Sequence, residues 1–366
     1  MLADDTPITS FRLTLAARFW KTASRFWRPP GAAMAWVLTA VLTGCTLLQL
    51  ALQFRLNYWS RDFFDAFGRR DGTALRAQAL LFLLLALVSI VLAIVAVWAR
   101  MTIQRQWRAW LTRHLIDRWL TRDGRPPPRF PLGFPLGEDR NPAFRIAEDA
   151  RVATDAPVSM AIGLFASLLN VVIFIGILWN VGGDLAVEAF GHALVVPKYL
   201  VITVLLYSGV LTLAMTIIGR PMVPAMAAKN AAEAQFRAVA SRLSEAGETD
   251  EDALSPHRVV SEAFGTVIDR WRVLCGKFMR ITIVVHGNGL LAPIVGWILC
   301  APRYLDRSLS LGEAAQTVAA FVTVQAALNW LVENYGAVAE CLSSVNRVGL
   351  LLRALDEAGG TRDGPV

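Results

Sequence analysis

Residues Gln78–Trp98 read QALLFLLLALVSIVLAIVAVW, 21 consecutive positions without a charged side chain. A hydrocarbon core about 30 Å thick needs roughly 20 apolar residues at a helical rise of about 1.5 Å each. The stretch therefore predicts a membrane-spanning helix. A strand is ruled out, because an open sheet edge in lipid leaves backbone N–H and C=O groups unsatisfied. Working outward, Gly31–Phe54 carries no charge until Arg55, and Val158–Val181 and Tyr199–Ile218 repeat the pattern. Ile281–Ala301 is apolar but holds His286, Asn288 and Pro293, so it predicts a kinked or protein-facing span. Leu311–Tyr335 holds Glu313, Gln316, Gln325, Asn329 and Glu333, which predicts a helix facing protein or a water-filled path. Six spans put both termini on one side. The expected fold is all-α: a polytopic integral membrane protein with six transmembrane helices and long cytoplasmic helical extensions.

Composition agrees. Of 366 residues 55% are hydrophobic and 18% charged, with a mean hydropathy of +0.46, against about 25% charged in soluble domains. A net charge of +7, with no basic block interleaved with aromatics in a polar setting, argues against nucleic-acid binding. Cys45, Cys275, Cys300 and Cys341 have no paired or metal-like spacing and read as small buried hydrophobes. His114, His192, His257 and His286 are scattered, so neither a metal nor a cofactor is expected. The first thirty residues show no removable signal peptide. Phe11–Trp27 (FRLTLAARFWKTASRFW) is basic, aromatic and amphipathic. It fits a helix lying at the membrane surface, or an ordinary amphipathic helix packed on protein.

The long polar stretches 99–157 and 219–280 read as extensions of the spans. Arg100–Arg122 places Trp107, Trp110, Leu111, His114 and Leu115 on one stripe, and the Pro-rich run from Asp123 to Asp139 ends that helix. The links 183–198 and 302–310 are short, and Asp184 and Glu188 read as solvated loop residues. Arg55–Ala77 carries five arginines, so the positive-inside rule supports cytoplasmic termini only weakly.

Four motifs carry the functional reading: LNYWSRDFFDAF (Leu56–Phe67), NPAFRIAEDAR (Asn141–Arg151), EAQFRAVASRLSEAGE (Glu233–Glu248) and Ala301–Tyr335. In this order and spacing they resemble the membrane domain of the ABC transporters related to the SbmA/BacA peptide transporters and the peroxisomal fatty-acyl exporters. The resemblance runs from about Phe19 to Leu355. It implies an ABC-exporter-type transmembrane domain over 31–355, after the N-terminal segment 1–30 and before a flexible tail 356–366. It also implies that Asn57, Trp59, Arg61, Asp62 and Asp65 close an outer mouth. Asn141, Arg145, Glu148, Asp149, Glu233 and Arg237 would lie in loops that touch an ATPase.

Each motif also has a plainer reading. Aromatics at a span end form an interface belt, and Asn141-Pro142 simply starts a helix. Arg61 with Asp65, and Glu233 with Arg237, can pair locally at i, i+4. No G-x-x-x-x-G-K-[ST] occurs in the sequence, so the ATP-binding domain of full transporters is expected to be absent and the chain not to be an enzyme. LSLGE (Leu309–Glu313) reads as a membrane-boundary turn. Glu333, Asn329, Gln325, Gln316 and His286 are the candidate transport path, with Glu333 a possible proton relay.

The expected function is a permease that moves an amphipathic peptide-like or lipid-like substrate across the bacterial inner membrane as a lipid-embedded homodimer, driven by the proton gradient. One alternative is half of a split ABC transporter with its ATPase on a separate chain. The other is a membrane sensor or scaffold without transport.

Overall fold

The computed structural model describes residues 6–28, 32–120, 143, 145–183, 185–189, 192–246 and 256–360. Asn141 and the Pro-rich run lie outside these residues. The helices are α1 (Thr6–Ala23), α2 (Ala32–Gly68), α3 (Gly72–Leu120), α4 (Ala150–Gly182), α5 (Tyr199–Gly219), α6 (Met222–Ala246), α7 (Pro256–Leu305), α8 (Leu311–Glu333) and α9 (Tyr335–Gly360). A single 3-10 turn, Ser24–Trp27, follows α1, and a π-helical turn, Arg145–Asp149, leads into α4. Six helical stretches are long and apolar enough to cross a membrane, and each of the six expected spans falls on one of them. Several of these stretches run far beyond a bilayer's thickness, α3 to 49 residues and α7 to 50, because no breaker separates span from extension.

The link 183–198 departs from the all-helical expectation. Leu185–Ala189 and His192–Val196 pair as an antiparallel hairpin in which Glu188 stands opposite Ala193. Asp184 lies outside the described residues. A link this short can satisfy its backbone groups by pairing across itself.

The chain divides into two compact units, 1–173 with 333–366, and 174–332. In the first, α2 and α3 form a long hairpin. Asp71 caps α3: its Oδ1 accepts from the Thr73 N–H (3.0 Å), the Thr73 hydroxyl (2.6 Å) and the Ala74 N–H (3.1 Å). The apolar face of Gln78–Trp98 is left outward, with Leu80, Leu83, Leu87, Ile90 and Ile94 exposed for lipid. Beyond it the stripe turns inward. Trp107, Leu111 and Leu115 join Phe19 and Ala23 of α1, Ile146, Ala150 and Ala153, and Val345, Val348, Leu351 and Leu352 of α9 in one core. Trp110 and His114 stack on each other with centroids 5.4 Å apart.

Here the reading of Phe11–Trp27 as a surface segment is corrected: Leu15, Phe19 and Ala23 are buried, and protein covers that face. Gly349 allows the close approach of α1 to α9, since a Cβ there would sit 2.6 Å from the Leu15 carbonyl oxygen. Residues 356–360, expected in the tail, are helical. Helix α9 continues to Gly360, and Asp356 pairs with Arg18 (3.3 Å) and Arg118 (2.9 Å).

In the second unit α6 packs along α7, with Phe236 against Phe264 and Lys229 Nζ 5.0 Å above the Trp271 ring. Cys300, Leu309, Ala314 and Val318 form a small core with Val181, and Arg303 donates to the Val181 carbonyl at 2.7 Å. Cys45, Cys300 and Cys341 are buried as expected, whereas Cys275 is exposed on the extension ahead of the fifth span.

Candidate functional site: a polar ladder among spans and an ionic clamp on the extensions

Spans four to six carry few polar side chains, and the second unit gathers most of them. Tyr207 (α5) donates its hydroxyl to Asn288 Oδ1 (α7) at 3.0 Å, and Asn288 Nδ2 donates to Gln325 Oε1 (α8) at 3.3 Å. One and a half turns along α5, the Thr212 hydroxyl donates to Asn329 Oδ1 at 2.9 Å, while Asn329 Nδ2 donates back to the Gln325 carbonyl at 3.0 Å. Phe321 packs against the Tyr207 ring. Gln316, Gln325 and Asn329 are buried, each at 2% exposure or less. The Nε2 of Gln325 and the hydroxyl of Ser208 are buried with no hydrogen-bond partner among the described residues. In an apolar setting such groups favour mutual pairing and leave any orphan donor available to a polar guest.

Of the five expected path residues, Gln325 and Asn329 therefore meet in one ladder, and Gln316 is buried on the same helix. His286 is exposed and outside the ladder, about half a turn from Asn288 on α7. Glu333 is exposed at the last position of α8. Tyr207 and Thr212 were missed. With Ser208 and Thr216 they form the polar side of Tyr199–Gly219, a signal visible in sequence as the i, i+4 series Ser208, Thr212, Thr216.

The second constellation lies in the first unit. Asp149, 1% exposed, accepts on Oδ2 from Arg145 (2.9 Å) and on Oδ1 from Arg347 Nη2 (2.6 Å) and Nε (2.9 Å), with the Ser344 hydroxyl at 3.4 Å. Arg347 also donates to the hydroxyls of Ser343 (2.6 Å) and Ser344 (2.8 Å). The Arg145–Asp149 part of the motif is thus bolted to α9, and its buried charges are matched within the fold. Glu148 stays at the surface, paired with Arg151. Arg347, Ser343 and Ser344 carry no local sequence signature, because their role depends on a partner in another part of the chain.

The other expected residues fall as follows. Glu233 pairs with Lys229 at 2.7 Å and not with Arg237, which is exposed; Lys229 is held one turn back by Trp271, so its ammonium is already in place. In Leu56–Phe67, Asn57 is buried, and Trp59 donates to the Gln78 carbonyl at 2.8 Å while stacking on Phe63 and packing against Phe82. Asp62 pairs with Arg55 at 3.8 Å, and Arg61 and Asp65 are half-buried on the same stretch of α2. The motif therefore locks the α2–α3 hairpin at the end away from the core of α1 and α9.

Residues 27–305 match the family described as ABC transporter transmembrane region 2. Among curated proteins, the chain is 24% identical over 341 residues to the inner membrane ABC transporter ATP-binding protein YddA of Escherichia coli, covering 91% of this chain and 60% of that protein. It is 21% identical over 339 residues to ABC transporter D family member 2, chloroplastic, of Arabidopsis thaliana, covering 92% and 45%. A third relative, the uncharacterized ABC transporter ATP-binding protein sll0182 of Synechocystis, is 22% identical over 327 residues, covering 88% and 47%. The chain spans about half the length of the curated relatives it matches.

Proposed function

The chain belongs to the ABC transporter transmembrane region 2 family, and from that premise we propose that it forms the translocation half of a transporter driven by ATP hydrolysis on a separate nucleotide-binding domain or subunit. The cargo is an amphipathic peptide-like or lipid-like molecule, and two copies assemble in the bacterial inner membrane with their termini in the cytoplasm. The names of two of these relatives support the energy source, since the Escherichia coli and Synechocystis proteins are each called an ATP-binding protein. The chain's own sequence holds no G-x-x-x-x-G-K-[ST] phosphate cradle.

The observation that carries the reading is the Asp149 clamp. A nucleotide-driven device must pass force from a soluble engine to the spans through stiff, unslipping connections. Asp149 ties the start of the helix that becomes span three to the extension that follows span six. A displacement imposed there is shared by the start of α4 and by α9. The ladder Tyr207–Asn288–Gln325 offers the complementary property: uncharged, exchangeable hydrogen bonds along spans four to six that a polar portion of the cargo can replace one for one.

The test is reconstitution in liposomes with and without the purified nucleotide-binding partner. ATP-dependent movement of a labelled amphipathic peptide or acyl-CoA supports the reading. Movement under an imposed pH gradient without nucleotide sinks it in favour of proton coupling. Glu333→Gln separates the two at residue level: with an ATP-driven engine, transport stays within about twofold of the parent, because the exposed carboxylate carries no proton through the spans.

A further inference from the structure

The first unit bears a groove that neither the clamp nor the ladder uses. It is lined by Met101, Gln104, Arg105, Arg108 and Arg113 of α3 and by Asp155 of α4. Three guanidinium groups face one carboxylate, so the lining is positive. Arg105 and Arg113 are exposed, and neither has an ion-pair partner among the described residues. Arg108 is half-buried, with one nitrogen 3.4 Å from the Ala147 carbonyl, and Gln104 is fixed by donating to the Asp155 carbonyl at 2.7 Å and to the Ser159 hydroxyl at 3.0 Å. The groove is held open by contacts that leave its outer arginines unspent.

Its position along α3 defines the ligand. The uncharged run ends at Trp98, and Trp98 and Met101 are both exposed, at 56% and 61%. At about 1.5 Å per residue, Arg105 lies about 10 Å and Arg108 about 15 Å past Trp98 along the axis. Side chains lean toward the N-terminal end of their helix, which here is the direction of the bilayer. The guanidinium groups of Arg105 and Arg108 are thereby brought back toward the headgroup layer, with the apolar surface of Met101, Trp98 and Ile94 directly below them. A ligand that satisfies the whole groove has a phosphate at one end and hydrocarbon at the other.

We propose that this groove binds the phosphate of an anionic membrane phospholipid, with Arg105 and Arg108 on the headgroup and the acyl chain along Met101 and Trp98. Phosphate suits a fork of guanidinium donors, and apolar contact below it distinguishes a lipid from a free anion. The groove shares no residue with the polar ladder, and the ligand it is assigned is a resident lipid.

The experiment reads the lipid retained after purification from nanodiscs made with equal amounts of phosphatidylglycerol and phosphatidylcholine. The parent protein is expected to retain phosphatidylglycerol preferentially. Arg105→Gln with Arg108→Gln should reduce that preference by at least about fivefold, while Arg270→Gln, on the exposed extension of α7, leaves it unchanged. Equal retention by parent and double variant overturns the proposal. So does complete displacement of phosphatidylglycerol by inorganic phosphate, which marks a free-anion site. Cross-linking of an Arg105→Cys variant to a second copy also overturns it, since the groove is then an interface. Should the double variant fail to fold, the parent alone decides: a preference that fades as salt rises supports the site, and one indifferent to salt opposes it.

Discussion

Arg347 reaches across 198 positions of sequence to place two nitrogens on a single oxygen of Asp149, at 2.6 and 2.9 Å. The other oxygen of the same carboxylate holds Arg145, whose side chain is 8% exposed. One buried anion thus serves two cations, and both lose that counter-charge when Asp149 is removed.

Asp149→Ala leaves Arg145 buried without a counter-charge. Removing one member of a buried ion pair costs about 3–5 kcal/mol, and the lower end applies because Arg347 keeps about a third of its surface in water. Asp149→Asn retains the shape and part of the hydrogen bonding and should lose less. Thermal unfolding of the detergent-solubilised protein ranks the variants. Equal melting temperatures for parent and Asp149→Ala would contradict the clamp.

Gly349→Ala is expected to loosen α1. The added Cβ would lie 2.6 Å from the Leu15 carbonyl oxygen, a backbone atom that cannot swing aside, so the helices must separate at a cost of about 1–3 kcal/mol. Limited trypsin digestion should then cut at Arg18 and Lys21 faster than in the parent. Gly44→Ala is the control, because nothing lies within 4 Å of its Cβ position and alanine favours the helix by up to about 1 kcal/mol.

The ladder predicts coupling between Thr212 and Asn329. A double-mutant cycle of Thr212→Val and Asn329→Leu should return about 0.6 kcal/mol and no more than about 1.7 kcal/mol, the range for hydrogen bonds between membrane helices. Additive losses would mean that the 2.9 Å bond does not bind the two spans in the membrane.

Asp71 gives a pH signature. The Thr73 hydroxyl, then the Ala74 and Thr73 amides, favour its charged form and hold its pKa below the ordinary carboxylate value of 3.8. A lowered folded-state pKa means the cap contributes fully above that ordinary value and is lost as pH falls through the lower folded value. Hydrogen exchange at the Thr73 and Ala74 amides should therefore stay protected at neutral pH and lose protection in acid. Asp71→Ala should expose them at every pH.

The spans were legible because their signal is local: an uncharged run of some 20 residues is decided by its own composition. The helix start read at Asn141-Pro142 lies outside the described residues, and the described α4 begins at Ala150 after the π-helical turn. What escaped depends on distant partners. The stripe Leu15, Phe19, Ala23 has one appearance whether lipid or protein covers it, and only α9 decides between them. Arg347 looks like any helical surface arginine until Asp149 is brought to it. Glu233 has a cation four residues away on either side, and Trp271, remote in sequence, selects Lys229. The Leu185–Val196 hairpin is too short for its strands to register against runs of span length.

The core that joins α1, α3 and α9 sets an order of events during synthesis. Phe19 and Leu351 share that core although more than three hundred residues separate them. A ribosome adding about 5–20 residues per second needs on the order of tens of seconds to travel that far. Throughout that interval the faces of Phe19, Trp107 and Leu111 wait without their final cover, while the spans are already entering the bilayer. The nascent chain is thus at its most vulnerable to proteases and to wrong pairings just before α9 emerges. Docking of that helix is the event that closes this core.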